Sequence, residues 1–118
     1  MLLVLENLLD APALAALRTA LLHTAPTDWQ DGRATAGYAA AALKRNQQLP
    51  AQHPQAVAQG RRVLDALAGN ARFVSFALPQ RVLTPMFNRH ADGDEYGFHI
   101  DNALRIDPLS GQRLRADV

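Results

Sequence analysis

The residues whose types and spacing suit chemistry lie in Glu95-Tyr96-Gly97-Phe98-His99-Ile100-Asp101, which ends in the pair His99-x-Asp101. In an extended chain successive side chains alternate between faces, so His99 and Asp101 share one face and Phe98 and Ile100 take the other. An imidazole and a carboxylate then converge as metal ligands, Phe98 and Ile100 bury against a core, and Gly97 leaves space for a ligand to approach. Four His and nine Asp in 118 positions yield roughly 0.3 such triplets by chance, so the spacing alone does not decide the matter. The other reading of the bare triplet is a hydrogen-bonded histidine followed by a turn or capping aspartate.

Composition narrows the chemistry. The chain has no Cys, which removes disulfides and thiolate metal sites and leaves His and carboxylate as the metal-binding types. Formal net charge is +1, with no basic stretch to propose for nucleic acid. Eleven of the 12 cationic residues are Arg and only Lys44 is Lys, which fits an Ala/Arg-rich composition rather than a particular partner. Glu6 and Asp10 interrupt the apolar start and no basic residue precedes it, so a signal peptide is not expected. No run approaches the ~20 apolar residues that span a bilayer. The expectation is a soluble cytoplasmic protein of one domain.

Elements must position the pair. Residues 2–5 read as a short strand. Asp10 reads as an N-cap, with Pro12 in the first turn and Leu14, Leu17, Leu21 and Leu22 at helical spacing up to about Thr24. Residues 29–33 read as the start of an exposed turn, followed by an irregular Ala-rich stretch to Ala42. Propensity favours helix over 33–44, but Gly32, Gly37 and the polar run Lys44-Arg45-Asn46-Gln47-Gln48 oppose it. A second helix starts near Pro54 and carries Val57, Arg61, Leu64, Leu67 and Ala68 on one side, with Gly69-Asn70 as its C-cap. His53 is assigned to the start of this helix rather than to a metal.

The remainder turns from helical to β patterning. Residues 73–78 read as a strand or tight connection closed by Pro79, and residues 82–88 as a strand whose Pro85 argues for an edge or a bulge. With Ala91-Asp92-Gly93-Asp94-Glu95 as a turn, residues 82–90 and 96–101 are expected to form a hairpin. Asp92-Gly93-Asp94 lacks the rest of a calcium loop.

The run Leu78-Pro79-Gln80-Arg81-Val82-Leu83-Thr84-Pro85-Met86-Phe87-Asn88-Arg89-His90, followed by Glu95 to Arg105, resembles the N-terminal half of the PKHD-type hydroxylases. Trp29-Gln30-Asp31-Gly32-Arg33 and Lys44-Arg45-Asn46-Gln47-Gln48 resemble segments of the same family, in the same order. These are prolyl-hydroxylase-like enzymes dependent on iron(II) and 2-oxoglutarate, many of which use L-ascorbate to keep the iron reduced. The resemblance implies an α+β fold in which N-terminal helices pack on the first strands of an incomplete double-stranded β-helix, or jelly roll. It places helical support over about 1–72 and the start of the barrel over about 73–118.

Two His and one carboxylate hold iron(II) in that family and leave coordination positions open for an oxygenase. By resemblance His99 is the first His ligand and Asp101 the carboxylate. His90 stands where relatives commonly have a Tyr that bonds to 2-oxoglutarate; it is either a hydrogen-bond donor to that cofactor or an ordinary strand residue. The family's second His, and the Arg that pairs with the distal carboxylate of 2-oxoglutarate, are expected beyond Val118, since His23 and His53 lie on or beside helices. Leu114 to Val118 looks like the start of the next strand. The isolated 118 residues are therefore expected to be inactive, with unpaired strand edges open to another chain. The substrate, a small molecule or peptide, is not specified by any residue. The alternatives are a non-catalytic α+β binding or interaction module that keeps the family pattern, and a cupin-type jelly roll using the same triplet for another reaction.

Overall fold

The computed structural model describes residues 1–36 and 41–116. Among these residues the fold is α+β, with three α-helices and two small antiparallel sheets. Helix α1, Ala11–Leu22, starts as its sequence requires: the Asp10 carboxylate accepts the Ala13 N–H at 2.8 Å, and Pro12 occupies the first turn, where its missing N–H costs nothing. Leu17 is buried and Leu21 reaches the core, while Leu14 and Leu22 remain exposed. Helix α2, Pro54–Ala68, is capped at its start by His53, whose Nδ1 accepts the Gln55 N–H, and at its end by Gly69. Its buried positions are Ala56, Gln59 and Gly60, so the inward face is rotated from the expected stripe. Val57 and Arg61 point to solvent, because Gly60 must lie against Pro85, within 3.7 Å of where a Cβ would stand.

Strands β1 (Gln30–Asp31), β2 (Gln47–Leu49) and β3 (Phe87–Arg89) form an antiparallel sheet with β2 in the middle. Gln47 faces both Asp31 and Arg89, and Leu49 faces Phe87. Trp29, Leu49 and Ala56 make the buried core, with Leu21 and Phe87 packed on it. Trp29 is therefore a core residue rather than part of an exposed turn, and the Arg89 guanidinium covers its ring at 4.6 Å. A separate hairpin joins β4 (Leu104–Ile106) to β5 (Arg113–Arg115). Gly111 closes its turn at φ +69, a conformation that suits glycine.

Several sequence expectations are corrected. Residues 2–5 form no strand; they pair with nothing among the described residues, and Leu2 and Val4 are exposed. Residues 73–78 are mostly helix, not strand: α3 spans Ala71–Ala77, with the Asn70 side chain accepting the Phe73 N–H at 2.9 Å and Leu78 turning left-handed at φ 44 to end it. Two caps outweigh the β preference of Phe73, Val74 and Phe76. Of residues 82–88 only Phe87 and Asn88 join a strand, since Thr84 is tied by its N–H and hydroxyl to Asp107.

The hairpin between residues 82–90 and 96–101 is also absent. Both arms lie instead beside the same partner. β3 pairs with β2, and beyond the turn at 92–93 Tyr96 bridges to Lys44. The Glu95 carbonyl accepts the Arg45 N–H at 2.7 Å and the Leu43 carbonyl accepts the Gly97 N–H at 3.1 Å. The 91–94 turn, closed by Asp94 on the Ala91 N–H, thus makes a bulge rather than a reversal. Part of the expected irregular stretch, residues 37–40, lies outside the described residues, as do residues 117 and 118 of the anticipated final strand; β5 supplies its first part. Among the described residues no helix is long and apolar enough to cross a membrane.

Candidate metal site

The segment 43–49 is the platform for the site. Its side chains alternate, with Lys44, Asn46 and Gln48 buried and Arg45 and Gln47 exposed, the period of an extended chain. The buried side chains connect. The Lys44 ammonium donates to Thr35 Oγ1 at 3.3 Å, the Thr35 hydroxyl donates to Gln48 Oε1, and the Gln48 amide donates to Met86 Sδ at 3.0 Å. Gly32 lies directly under this row: a Cβ there would stand 1.8 Å from Asn46 Oδ1 and 3.0 Å from Lys44 Cε.

The Lys44–Tyr96 bridge then delivers residues 97–101 to one end of the platform. The Tyr96 ring stacks on the His99 ring at 3.7 Å between centroids, with 21° between planes. His99 Nδ1–H donates to the Gly97 carbonyl at 2.6 Å, which turns the other ring nitrogen, Nε2, toward Asp101. That Nε2 stands 3.3 Å from Asp101 Oδ1. Two cis ligands each ~2.1 Å from one metal are about 3.0 Å apart; the observed separation is near that value and is also the distance of a His–Asp ion pair. A ligating histidine usually donates its other ring N–H to a carboxylate, a backbone carbonyl or water. The two side chains lie close together, but not through a strand: among the described residues, 98–102 belong to no strand, and Phe98 and Ile100 are exposed rather than packed. Gly97 does not open the space expected of it, since Leu43 lies 3.4 Å from its Cβ position.

Arg105, on β4, reaches back to Asp101 Oδ1 at 3.4 Å. His90 is exposed, and its Nε2 accepts a hydrogen bond from Asn46 Nδ2 at 3.3 Å. It therefore joins the platform row through Asn46, one step beyond the Gln47–Arg89 pair. No third His, Cys, Asp or Glu joins His99 and Asp101 among the described residues. His23 bonds the Thr19 carbonyl at the end of α1, and His53 holds the start of α2 and faces Asp28 at 3.2 Å.

Charge around the site is uneven. Burial first, and then the Arg105 guanidinium, push the Lys44 ammonium below the ordinary lysine range, with Asp31 opposing. Asp31 is lowered to about 2, chiefly by its hydrogen bonds from the Arg33 side chain. Lys44, Tyr96 and Arg105 carry no motif that assigns them a role at the site. The legible signal for the first was the alternation Lys44-x-Asn46-x-Gln48, which marks an extended row.

No family model matches the chain. Curated relatives do. A PKHD-type hydroxylase of Pseudomonas putida (strain W619) is 47% identical over 118 residues, 100% of this chain and 51% of that protein. PKHD-type hydroxylases of Bordetella pertussis and Bordetella bronchiseptica are each 46% identical over 110 residues, 93% of this chain and 48% of theirs. The chain spans about half the length of the curated relatives it matches. At this identity over 93% or more of its residues, the chain is homologous to the PKHD-type hydroxylases, the family its motifs resemble.

Proposed function

We propose that this chain carries two iron(II) ligands, His99 and Asp101, of a 2-oxoglutarate-dependent dioxygenase that hydroxylates a small molecule or peptide. The observation that carries the reading is the 3.3 Å approach of His99 Nε2 to Asp101 Oδ1, with Nδ1 tied to the Gly97 carbonyl. A borderline nitrogen and a hard oxygen form a donor set that suits iron(II). The relatives are about twice as long, and the third ligand, a His, and an Arg for the distal carboxylate of 2-oxoglutarate are assigned to sequence outside residues 1–118, with the remainder of a jelly roll. His99 and Asp101 would hold the iron, which with 2-oxoglutarate would supply dioxygen activation for hydroxylating a substrate C–H bond, with succinate and CO2 as the co-products.

The chain's own residues prepare that chemistry. Gly97 fixes the His99 tautomer and the Tyr96 ring limits its rotation. Arg105 holds the Asp101 carboxylate in place. His90, whose Nε2 accepts from Asn46, carries its proton on Nδ1 and is assigned to donate to 2-oxoglutarate. L-ascorbate is the reductant by the same family likeness, and the cytoplasm is the assigned compartment.

Cobalt(II) titration of the 118-residue chain, followed by its visible spectrum, tests the ligand assignment. Weak binding that disappears in His99→Ala supports it; binding unaffected by His99→Ala sinks it. The chain alone is expected to release no CO2 from 2-oxoglutarate in the presence of iron(II). Turnover by this chain would show that two ligands and the present residues suffice.

A further inference from the structure

A cavity of about 190 Å³ is framed by residues from 30–35 and 48–52 together with Met86 and Pro108. It is larger than the ~150 Å³ that holds a benzene ring, and neither His99 nor Asp101 lines it. Pro50, Ala51 and Pro108 give it stiff apolar walls. The Gln52 amide donates to the Pro108 carbonyl at 2.9 Å, which joins two of the wall segments. Asp107, next to Pro108, accepts from the N–H and hydroxyl of Thr84, two residues before Met86. The walls are therefore held in place by the fold itself, as is usual for a ligand pocket.

One polar group in the wall is poorly matched. The Lys44 ammonium donates to Thr35 Oγ1, the Thr35 hydroxyl to Gln48 Oε1, and the Gln48 amide to Met86 Sδ. This row runs in one direction from a charge, and each bond polarises the next. It ends on a thioether, which is a weak acceptor. Yet Gln48 is 5% exposed, and a buried amide N–H without a good acceptor is costly. Among the described residues the Gln48 amide nitrogen has no other acceptor. Met86 is 43% exposed on a flexible side chain, so its sulfur can yield the place. Among the described residues the ionisable group in the lining is Asp31, which hydrogen bonds from Arg33 keep as a carboxylate with its pKa lowered to about 2. A negative charge in the lining, with no cation there, disfavours an anionic occupant.

We propose that this cavity binds a neutral amide, whose carbonyl oxygen accepts from Gln48 Nε2 in place of Met86 and whose apolar body lies against Pro50, Ala51 and Pro108. A carbonyl oxygen is the strong acceptor that the row lacks, and it carries no charge for Asp31 to repel. A free amide and a peptide unit both present this group. The proposal stands apart from the dioxygenase reading, because none of its residues is a metal ligand.

The test is titration of the nitrogen-15-labelled 118-residue chain, followed by amide NMR, with three probes used separately. N-methylpyrrolidone is a compact free amide, N-acetylalanine N-methylamide is a peptide unit, and cyclopentanecarboxylate is an anion of similar bulk. At least one neutral probe is expected to shift the Gln48 side-chain NH2 signals with a Kd of about 10 mM or below. Shifts from N-methylpyrrolidone alone assign the cavity to a free molecule, and shifts from the peptide unit assign it to a peptide. Gln48→Met keeps the length of the side chain and removes its amide. Ala34→Leu fills the cavity from an exposed lining position and disturbs no core, so it keeps the test decisive should Gln48→Met fail to fold. Circular dichroism checks both variants, and the Ala51 backbone N–H signal reports their binding. Each is expected to bind tenfold or more weakly than the parent. No Gln48 shift with either neutral probe at about 10 mM, equal affinity in the parent and Ala34→Leu, or cyclopentanecarboxylate binding as tightly as the neutral probes overturns the proposal.

Discussion

His99 Nε2 stands 3.3 Å from Asp101 Oδ1 although neither residue lies in a strand. The approach is made by local ties instead: the Gly97 carbonyl on one side of the imidazole, the Tyr96 ring on its face, and Arg105 on the carboxylate. Asp101 is 77% exposed in its side chain, so removing it disturbs no packing.

Asp101→Asn is accordingly expected to change folding stability by no more than about 0.5 kcal/mol, as for an open surface position. The same substitution is expected to weaken cobalt(II) binding at least tenfold, because a neutral amide oxygen replaces a charged ligand. Paired thermal melts and metal titrations check both halves. Equal loss of stability and metal affinity would mean that Asp101 is a structural residue.

Gly32 and Asn46 set the next expectation. A Cβ at Gly32 would stand 1.8 Å from Asn46 Oδ1, and Asn46 is buried on a short side chain that has little room to withdraw. Gly32→Ala should therefore cost about 1–3 kcal/mol, the usual range for overpacking. Urea unfolding with an unchanged slope and a lower midpoint is the expected record. The double variant Gly32→Ala with Asn46→Ala should recover part of the loss, since the clash is with that side chain.

These cases show what the sequence makes legible. Asp10 with Pro12, and the helix from Pro54 to Gly69, were readable because capping and periodicity are local. Asn70 was equally local, but its position directly after Gly69 made it look like the end of one helix when it also begins the next. The partner of residues 87–89 was not readable. Strand pairing is chosen over a separation of about 40 residues, and a turn at 91–94 suits a bulge as well as a hairpin. His99 and Asp101 were found for a spacing that suits a strand, and they meet through a hydrogen-bonded turn instead. Lys44 was missed because its burial depends on Thr35 and Tyr96, which only the fold brings to it.

Leu49 connects the platform to the core. It is 1% exposed and touches the cluster of Trp29 and Ala56. Leu49→Ala should cost about 2–5 kcal/mol through lost burial and the cavity left behind. In so small a core that is a large share of the 5–15 kcal/mol that typically holds a domain together. Loss of near-ultraviolet dichroism from Trp29, with far-ultraviolet signal retained, is the expected signature; a variant melting within a degree of the parent would show that Leu49 carries little of the core.

Asp107 provides a pH dependence with a definite sign. Its carboxylate accepts the N–H groups of Leu109, Ser110 and Thr84 and the hydroxyls of Ser110 and Thr84, tying residues 82–86 to the β4–β5 hairpin. Hydrogen bonding, led by the Ser110 backbone N–H, holds its pKa well below the usual aspartate range, against a smaller opposing effect of burial. The folded state therefore binds its proton less readily than the unfolded chain, whose aspartates titrate near about 3.9. Its contribution is fully present above that value and is lost as the pH falls through the lower folded value. Asp107→Ala should cost about 1.5–3 kcal/mol at pH 7, the range for hydrogen bonds to a charged group. The difference from the parent should shrink when melts are repeated below pH 4. Asp31→Asn serves as the comparison, because Asp31 is also lowered, to about 2, but sits exposed beside Arg33, where solvent screens the effect. A gap between parent and Asp107→Ala that stays constant from pH 7 to pH 2 would mean that the charge of Asp107 contributes nothing to holding these two segments together.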